Sequence, residues 1–343
     1  MGDILHALPA VTALRQAHPG WVIDWVVEPR WRALLAAEGS TGRAAAPPPN
    51  PAQPVVDRLH LAAAKEWRKT PFSRETLHEI RALRRALKAG GYDAVLDLQG
   101  AIRSAVVARL AGSHRLIGEA EPRERAARRL FTERVPTRGA HVIEQDVELA
   151  AAVAGDDLTP VQPWLPVDPA AEAWAMGILA WGKNQPAVLI NPGAGWGAKR
   201  WPVERYAAVA QALTGRGFRV LVNAGPGEEP LAEAIHSSTG TATPLNCSLA
   251  QLIALTRRVA LVIAGDTGPL HLACALGRPV VGIYGPTDPS RNGPFGTRFK
   301  VLRSPESRRD HSRRAAPEAG LLNIQPEDVL RAAEELLHPE TTP

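Results

Sequence analysis

The residues of this chain best suited to chemistry lie in one short turn, residues 265–268, with His271 one helical turn further on. An apolar run ends at this turn and a helical pattern begins after it, with Asp266 or Thr267 as N-cap. The first helical amides and the positive end of the helix dipole favour an anion, and Gly268 lets an oxygen approach the backbone closely. The turn therefore predicts a phosphate site. Alternatively, Asp266 only caps the helix and His271 is a hydrogen-bonded core residue.

A second candidate anion site follows an earlier apolar run. Residues 191–202 are Asn-Pro-Gly-Ala-Gly-Trp-Gly-Ala-Lys-Arg-Trp-Pro, and a helical pattern starts at Val203. The glycines permit close backbone approach, and Lys199 with Arg200 before a helix start suits a diphosphate. The spacing matches neither a dinucleotide fingerprint nor a P-loop. A flexible surface loop is the alternative interpretation.

A third loop, residues 222–229, follows another apolar run and contains Glu228 and Glu229. A carboxylate at the carboxyl end of a strand can bind ribose hydroxyls, but both could equally be first-turn acids of the next helix. The sequence has no His, Cys, Asp or Glu cluster with metal-ligand spacing and no Asp-x-Asp pair. We therefore expect Lys199 and helix amides, rather than a metal ion, to neutralise a leaving diphosphate.

Asp3 is the candidate for proton transfer, because Gly2 and Asp3 open a helical pattern at a strand-to-helix type of turn. As a general base, Asp3 would accept the proton of an attacking hydroxyl. As an N-cap, it would contribute about 1 kcal/mol to stability and need no further role. The sequence leaves both interpretations open.

Two segments in the first half concentrate cations: residues 65–69, Lys-Glu-Trp-Arg-Lys, and residues 123–129, Arg-Glu-Arg-Ala-Ala-Arg-Arg. Residues 1–150 carry 22 Lys and Arg against 17 Asp and Glu, whereas residues 151–343 carry 18 of each. The first half is therefore predicted to bind an acidic partner or an anionic membrane surface, although solvated surface charge gives the same pattern. No nucleic-acid partner is expected, since the basic segments lack an interleaved aromatic platform.

Short apolar runs alternate with amphipathic helical patterns, which predicts an α/β protein with parallel sheets and helices on both faces. The predicted strands cover residues 21–27, 94–98, 187–190, 219–223, 260–264 and 280–284, and the predicted helices cover residues 74–89, 103–110, 203–214, 249–256 and 326–337. A Pro-rich linker over 161–170 is predicted to separate domains at 1–160 and 171–320, with a C-terminal helix and tail over 321–343. Residues 44–54 and 304–314 are predicted loops.

The composition is that of an ordinary globular protein, with 22% charged and 45% apolar residues. No apolar stretch approaches the roughly 20 residues needed to span a bilayer, and no leader-like segment opens the chain. The two cysteines, Cys247 and Cys274, lie in apolar contexts, which predicts buried thiols in a reducing compartment. A cytoplasmic protein is therefore expected.

Taken together, these motifs resemble the bacterial lipopolysaccharide heptosyltransferases of glycosyltransferase family 9, almost from end to end. The ordered set that carries the resemblance is residues 1–9, 24–28, 67–69, 92–100, 199–202, 265–268 with His271, and 284–289. Residues 24–28 and 67–69 most resemble the heptosyltransferase I branch, which adds the first heptose to Kdo. The resemblance implies a GT-B fold, in which two Rossmann-like doubly wound domains face a cleft.

The resemblance also implies an inverting transfer without a metal or other cofactor. The donor, ADP-L-glycero-β-D-manno-heptose, would bind the C-terminal domain, and the acceptor, Kdo-lipid A, would bind the N-terminal domain. The protein would then be peripheral on the cytoplasmic face of the inner membrane, with no nucleic-acid partner.

Residue roles follow from the resemblance by position. Asp3 is expected to be the general base and Lys199 the cation on the donor phosphates. Thr267, Gly268 and His271 are expected to line the diphosphate, Asp266 to bind heptose hydroxyls and Glu228 to bind the nucleoside. The expected acceptor contacts are Lys65, Arg68, Lys69 and Arg123 or Arg125.

The family pattern has a strand directly before the turn at residues 1–3, and a doubly wound domain places its first, central strand at such a turn. No residue of this sequence remains for that strand. We expect either a domain that lacks it or a longer protein with about ten more residues at its start.

Other functions stay open on sequence alone. Heptosyltransferase II, or another family 9 transferase, would differ only in acceptor or sugar. A non-catalytic protein that binds a nucleotide or polyanion at the inner membrane would use Asp3 as a cap. A nicotinamide-dependent dehydrogenase is disfavoured because the dinucleotide fingerprint is absent.

Overall fold

The computed structural model describes residues 1–40, 50–180, 185–309 and 316–338. It divides into two compact units, and the boundary between them in the sequence falls between Val167 and Asp168. This boundary lies within the predicted linker, residues 161–170. Residues 44–49 and 310–314 of the predicted loops and residues 339–343 of the predicted tail lie outside the described ranges.

The N-terminal unit alternates helices with short parallel strands. Its strands are β1 (Asp24–Val27), β2 (Arg58–Leu61), β3 (Val95–Asp97), β4 (Leu116–Glu119) and β5 (Glu133–Val135). Its helices are α1 (Gly2–Ala17), α2 (Ala64–Trp67), α3 (Arg74–Ala89), α4 (Ile102–Arg109) and α5 (Val142–Ala154), with 3₁₀ turns at Pro29–Leu34 and Arg125–Arg129. The strands form two separate parallel sheets, β2-β1 and β3-β4-β5.

Helices cover both faces of these sheets. Leu96 of β3 packs with Ala10 and Leu14 of α1 and with the buried side of α5. The preceding residue, Val95, packs with Leu87 of α3 and with residues of α4. Since successive strand residues point to opposite faces, α1 and α5 lie on one face and α3 and α4 on the other.

A buried ion pair fixes the carboxyl end of α1. The guanidinium of Arg15 donates to the Asp57 carboxylate at 2.5 Å and to the backbone oxygens of Val55 and Trp21 at 2.9 and 2.6 Å. Both charged side chains are about 5% exposed. Because either charge would be costly to bury alone, this pair holds α1 against the segment that leads into β2.

The described residues of the C-terminal unit include a six-stranded parallel sheet. Its strands are β6 (Ala187–Asn191), β7 (Arg219–Asn223), β8 (Thr243–Leu245), β9 (Leu261–Gly265), β10 (Val280–Tyr284) and β11 (Phe299–Arg303). Its helices are α6 (Pro169–Ala180), α7 (Val203–Gly215), α8 (Glu229–Thr239), α9 (Leu249–Thr256), α10 (Gly268–Ala275), α11 (Pro289–Asn292) and α12 (Pro326–Leu337), with 3₁₀ turns at Gly197–Lys199 and Ala319–Asn323. The strand order is β11-β10-β9-β6-β7-β8, the doubly wound order with β6 as first strand.

The centre of this sheet is fully buried. Every residue of β6, β9 and β10 is buried, as expected for uninterrupted apolar strands covered on both faces. The helix predicted over 326–337 is confirmed as α12, and it packs on α7, β10 and β11 within this unit. The sequence analysis missed β2, β4, β5, β8 and β11, which have three to five residues each and are not buried throughout.

Candidate functional site

Two oppositely charged side chains meet where the strand order of the C-terminal sheet reverses. Lys199 lies in the loop after β6, and Asp266 directly follows β9, the neighbouring strand. Lys199 Nζ donates to Asp266 Oδ2, and the two side chains are only 12% and 11% exposed. Because ligands bind doubly wound sheets at this topological switch point, the pair marks the candidate site of this unit.

His271 completes a three-residue cluster with this pair. Its Nε2 lies 3.2 Å from Asp266 Oδ1, and the His271 residue is 7% exposed. Burial alone would raise the pKa of Asp266, but hydrogen bonds and charge from His271 and Lys199 lower it well below its ordinary value. Asp266 is therefore an anion at neutral pH, and each of its oxygens holds one basic side chain.

Of the two predicted N-cap residues of α10, the structure has Thr267. Thr267 is the N-cap residue by backbone geometry, but its side chain makes no capping hydrogen bond and donates to the Gly265 oxygen at 3.2 Å. The alternative in which Asp266 caps the helix is wrong, because its carboxylate oxygens bind Lys199 and His271. An anion at the start of α10 would meet the positive end of the helix dipole without competition from a capping side chain.

Aromatic and backbone contacts also fix Lys199. Its Nζ lies 4.5 Å from the centre of the Trp196 ring, a cation–π arrangement, and 3.4 Å from the Asp266 backbone oxygen. The 3₁₀ turn Gly197–Lys199 carries Lys199 back towards β9. The sequence analysis assigned no role to Trp196. Its position three residues before a lysine in a Gly-rich loop is the only sequence signal.

Glu228 connects the loops after β6 and β7. Its Oε1 accepts a hydrogen bond from the Ala194 amide at 3.0 Å and lies 4.0 Å from Arg200 Nη2. A Cβ atom at Gly193 would lie 1.8 Å from Glu228 Oε2, so any larger residue there would displace the Glu228 carboxylate from this position. Glu228 is the N-cap residue of α8, whereas Glu229 is its first-turn acid.

A buried amide pair supports the same two loops. Asn223 Nδ2 donates to Asn191 Oδ1 at 3.0 Å, and Asn223 Oδ1 accepts from the Cys247 amide at 3.3 Å. Asn191 and Asn223 are the last residues of β6 and β7 and are 3% and 6% exposed. The sequence analysis missed this pair, although an Asn closes each of the two apolar runs.

Asp3 belongs to a different cluster, in the N-terminal unit. Met1 is the N-cap of α1, so Asp3 is a first-turn residue and its interpretation as an N-cap is wrong. The Asp3 carboxylate accepts a hydrogen bond from Gln99 Nε2 at 2.8 Å and lies 3.8 Å from Arg123 Nη1. The Asp3 side chain is 52% exposed, so it is open to solvent.

The loops after β3 and β4 bring Gln99 and Arg123 to Asp3. The Asp97 carboxylate accepts hydrogen bonds from the Gln99 and Gly100 amides at 2.9 and 3.0 Å and so builds the turn after β3. Burial raises the pKa of Asp97. Gly100 has φ = +62°, and a Cβ there would lie 3.0 Å from the Arg123 nitrogen, so a glycine permits the close approach.

The predicted acceptor residues lie on two exposed segments. Lys65 is on α2 and Arg68 and Lys69 follow it, all three exposed, and Lys69 Nζ donates to Glu66 at 2.5 Å. This hydrogen bond lowers the pKa of Glu66. Arg125 is exposed at the start of the 3₁₀ turn after β4. Of the two arginines predicted there, Arg123 is the one that the structure brings to Asp3.

The cysteines are neutral thiols, since burial raises the pKa of both Cys247 and Cys274 to about 12. Cys274 is buried as predicted, whereas Cys247 is only partly buried. Within the four described ranges, no three or more His, Cys, Asp or Glu side chains are grouped so as to hold a metal ion. Over the same residues, none of the helices has the length and apolar character to cross a membrane.

Comparison with known proteins gives consistent similarities. The chain is 31% identical over 316 residues to lipopolysaccharide heptosyltransferase 1 of Escherichia coli K12, covering 89% of this chain and 91% of that protein. It is 26% identical over 356 residues to lipopolysaccharide heptosyltransferase 2 of the same strain, covering 98% and 96%. Among solved structures, E. coli heptosyltransferase WaaC with ADP has a TM-score of 0.77 at 29% identity and covers 98% of this chain and 97% of that one.

The predicted GT-B class of the α/β fold is confirmed by this structural agreement. A sequence profile described as glycosyltransferase family 9 (heptosyltransferase) matches residues 80–321, which include the Lys199–Asp266–His271 cluster. The chain therefore belongs to glycosyltransferase family 9, the heptosyltransferases.

Proposed function

We propose that this protein transfers L-glycero-D-manno-heptose from ADP-heptose to the Kdo of Kdo-lipid A, with inversion and without a metal ion. The observation that carries the proposal is the buried Lys199–Asp266–His271 cluster at the switch point of the C-terminal sheet. Family membership and the greater identity to heptosyltransferase 1 than to heptosyltransferase 2, 31% against 26%, support this acceptor choice.

The donor diphosphate binds at the start of α10 in this proposal. The amides of Gly268 and its neighbours and the Thr267 hydroxyl line the phosphates, together with His271. Lys199 neutralises the phosphate charge, and Asp266 binds the heptose hydroxyls. Glu228, which is one-quarter exposed and lies between the loops after β6 and β7, binds the nucleoside. All of these side chains and amides lie at the carboxyl ends of strands of the C-terminal sheet.

The reaction is a single displacement. Asp3 takes the proton from an acceptor hydroxyl, and the resulting oxygen nucleophile attacks the anomeric carbon of the heptose. The bond between that carbon and the diphosphate oxygen breaks, and ADP leaves with the bonding electrons. Attack from the side opposite to the diphosphate inverts the anomeric centre. Lys199 and the dipole of α10 stabilise the negative charge that develops on the leaving oxygen.

The acceptor binds the N-terminal unit through its anionic groups. Lys65, Arg68 and Lys69 are exposed on one segment, and Arg123 and Arg125 on another, so their hydrated charges are accessible to phosphate and carboxylate. We place the reaction at the cytoplasmic face of the inner membrane, where a lipid acceptor with a charged saccharide meets a nucleotide sugar.

The test is a transfer assay with ADP-heptose and either Kdo-lipid A or its monoheptosylated product. We expect transfer to Kdo-lipid A, an inverted anomeric configuration by NMR, and unchanged turnover in excess EDTA. Transfer only to the monoheptosylated acceptor would instead assign the protein to the heptosyltransferase II reaction. Tight ADP binding without turnover on any acceptor would support a binding protein.

A further inference from the structure

One layer of helices in the N-terminal unit is strongly basic. α3, α4 and the 3₁₀ turn Arg125–Arg129 lie on one face of the strands, because residues of each pack in clusters that include Val95. Together these three elements carry ten Arg and Lys against two Glu, and all ten cations are exposed. On the opposite face, α1 and α5 carry one Arg against four Asp and Glu. The charge of this unit is therefore divided between its two helix layers.

The cations of α3 form a single stripe along the helix. At 3.6 residues per turn they fall within an arc of about 100°, whereas Glu75 and Glu79 fall on another side. The buried residues Thr76, Leu83 and Leu87 occupy a third side. We call the α3 stripe the residues Arg74, Arg81, Arg84, Arg85 and Lys88. It extends over roughly 20 Å, because a helix rises 1.5 Å per residue.

The α3 stripe has no carboxylate partners. Among the residues that the structure describes, none of its five cations forms an ion pair, whereas Lys69 and Arg115 of the same unit are each bound to a Glu within 2.7 Å. Arg81 and Arg85 are like charges at the i, i+4 spacing, which destabilises a helix. The stripe therefore does not serve the stability of α3, and an anionic partner outside the unit would offset this repulsion.

Exposed apolar side chains accompany these cations. Phe72 is 89% exposed and lies two residues before α3, and Leu77 is exposed within the arc of the α3 stripe. On α4, Ile102 and Val106 are exposed one helical turn apart. In the opposite layer, α1 and α5 expose no large apolar side chain. The basic layer therefore combines positive charge with protruding apolar groups.

We propose that this layer docks on an anionic phospholipid surface, with the α3 stripe against the phosphate headgroups and Phe72 inserted at their level. Phosphate headgroups form a continuous negative surface, which a straight row of cations contacts along its whole length. The Phe72 ring gains by leaving water for the boundary between headgroups and acyl chains. The function proposed above places the reaction at a membrane but gives the α3 stripe and Phe72 no role in the donor or acceptor site.

Other polyanions fit these residues less well. A single-stranded nucleic acid stacks its bases on aromatic rings between cations, and the α3 stripe contains Leu77 instead of such a ring. A folded acidic protein would need an apolar pocket positioned to cover Phe72. A bilayer accepts a protruding ring at any place along its surface. The combination of an unpaired cationic stripe and an exposed Phe72 therefore favours a lipid surface.

The first experiment is flotation of the full chain with vesicles of phosphatidylglycerol and phosphatidylcholine, or of phosphatidylcholine alone. We expect flotation only with the anionic vesicles, and weaker binding at high salt. The triple variant Arg81→Gln, Arg84→Gln and Arg85→Gln should bind roughly 10²-fold more weakly, because each cation near an anionic surface contributes about fivefold. The matched control removes the same charge from exposed positions of the C-terminal unit and should bind within about threefold of the parent. It is the triple variant Arg216→Gln, Lys300→Gln and Arg331→Gln.

The second experiment tests insertion of the aromatic ring. Phe72→Ser should weaken binding to the anionic vesicles by roughly tenfold, because the ring no longer leaves water. Leu322→Ser, at an exposed position of the C-terminal unit, is the matched control and should bind like the parent. The unfolding free energy of both variants should stay that of the parent, since neither side chain belongs to a core.

Equal losses in the two triple variants would overturn the proposal, because net charge alone would then explain binding. Absence of flotation with the anionic vesicles would also overturn it. So would binding that Phe72→Ser leaves unchanged and that polyglutamate or DNA displaces, which would assign the stripe to an acidic macromolecule.

Transfer from ADP-heptose to a detergent-solubilised acceptor separates this inference from the proposed function. The Arg81, Arg84 and Arg85 triple variant should keep the turnover of the parent in that assay, because no vesicle surface is involved. Loss of turnover there would place the stripe in the acceptor site and overturn the proposal. Stripe-dependent vesicle binding by a chain without transferase activity would contradict the proposed function and support the docking surface.

Discussion

Among the described residues, six strands of the C-terminal unit form one sheet, whereas five strands of the N-terminal unit form two separate sheets. The charged residues of the two candidate sites also differ. Lys199 and Asp266 are paired and about one-tenth exposed, whereas Asp3 and Arg123 are 52% and 64% exposed and 3.8 Å apart. The unit with one continuous sheet has a buried charged pair at its candidate site, whereas the unit with the divided sheet has an exposed charged pair at its candidate site.

This difference indicates how each unit prepares for its ligand. A buried ion pair fixes its members in advance, because leaving either charge unpaired is costly. An exposed pair contributes little to the free energy of folding, so its members can form a new ion pair at little cost. Under the proposed function, we therefore expect the C-terminal unit to be preorganised for a small, constant donor and the N-terminal unit to adapt to a larger anionic acceptor. The following predictions test this contrast, beginning with the largest effect.

Asp3→Asn tests whether the exposed Asp3 carboxylate accepts the proton of the acceptor hydroxyl. If Asp3 is the general base, turnover falls by about 10²- to 10⁴-fold, because the amide cannot accept the proton. ADP affinity and unfolding free energy should stay the same, since Asp3 is half exposed. Asp93→Asn, at an exposed loop position, is the matched control. Turnover retained in both variants would remove Asp3 from the proposed mechanism.

Lys199→Met tests how much the buried Lys199–Asp266 pair contributes to the stability of the C-terminal unit. The substitution leaves Asp266 buried with His271 alone, and we expect a loss of about 3–5 kcal/mol in unfolding free energy, measured by urea denaturation. The matched control is Lys300→Met, whose partner Glu335 is about half exposed, as is Lys300 itself. The control should lose less than about 1 kcal/mol. Equal losses in the two variants would contradict the contrast between buried and exposed pairs.

In a recombinant chain that starts at Met1, the amino group of Met1 makes stability depend on pH. Its pKa is about 6 in the fold against 8.0 as an ordinary terminus, so the unfolded chain binds more protons between these values. Stability is therefore full above pH 8 and falls as the pH decreases towards 6, by roughly 2–3 kcal/mol. The measurement is urea denaturation of the chain that starts at Met1 across this range.

N-terminal acetylation supplies the control for this pH dependence, because it removes the ionisable group and leaves every histidine in place. The acetylated chain should lose the extra stability change between pH 8 and 6. The same slope in both chains would mean that the Met1 amino group is hydrated in the folded chain.

Gly193→Ala tests the smallest effect, the contact between two loops of the C-terminal unit. The new Cβ would displace the Glu228 carboxylate and break its hydrogen bond to Ala194, at a cost of about 1 kcal/mol. If Glu228 binds the nucleoside, ADP affinity falls several-fold while pyrophosphate affinity is unchanged. Gly195→Ala, where a Cβ has open space, is the control. Equal weakening of both ligands would argue against the nucleoside role of Glu228.

Local patterns predicted the elements whose burial is either continuous along a strand or repeats with the period of a helix. The strands at 219–223 and 280–284 and the helices at 74–89, 249–256 and 326–337 were predicted to the residue, because apolar runs and amphipathic periods mark them sharply. The strand Thr243–Leu245 was missed because it has three residues and a central proline. Strands this short are defined by their neighbours in the sheet rather than by their own sequence.

The sequence predicted the candidate sites only where their residues lie close together in the chain. Asp266, Thr267, Gly268 and His271 stand within one strand-turn-helix pattern and could be selected together. The pairing of Lys199 with Asp266 joins residues 67 apart, and that of Gln99 with Asp3 joins residues 96 apart. No sequence spacing shows such contacts, because the sheet order creates them.

The packing of α1 against α5 has a consequence for how this protein is made. The ribosome produces α1 first, yet the α5 residues that pack with Ala10 and Leu14, Val147 and Ala150, follow more than a hundred residues later. At typical elongation rates this interval lasts roughly 5–30 s. During that time the apolar side of α1 has no native cover from α5, so nascent-chain chaperones have their opportunity to bind here.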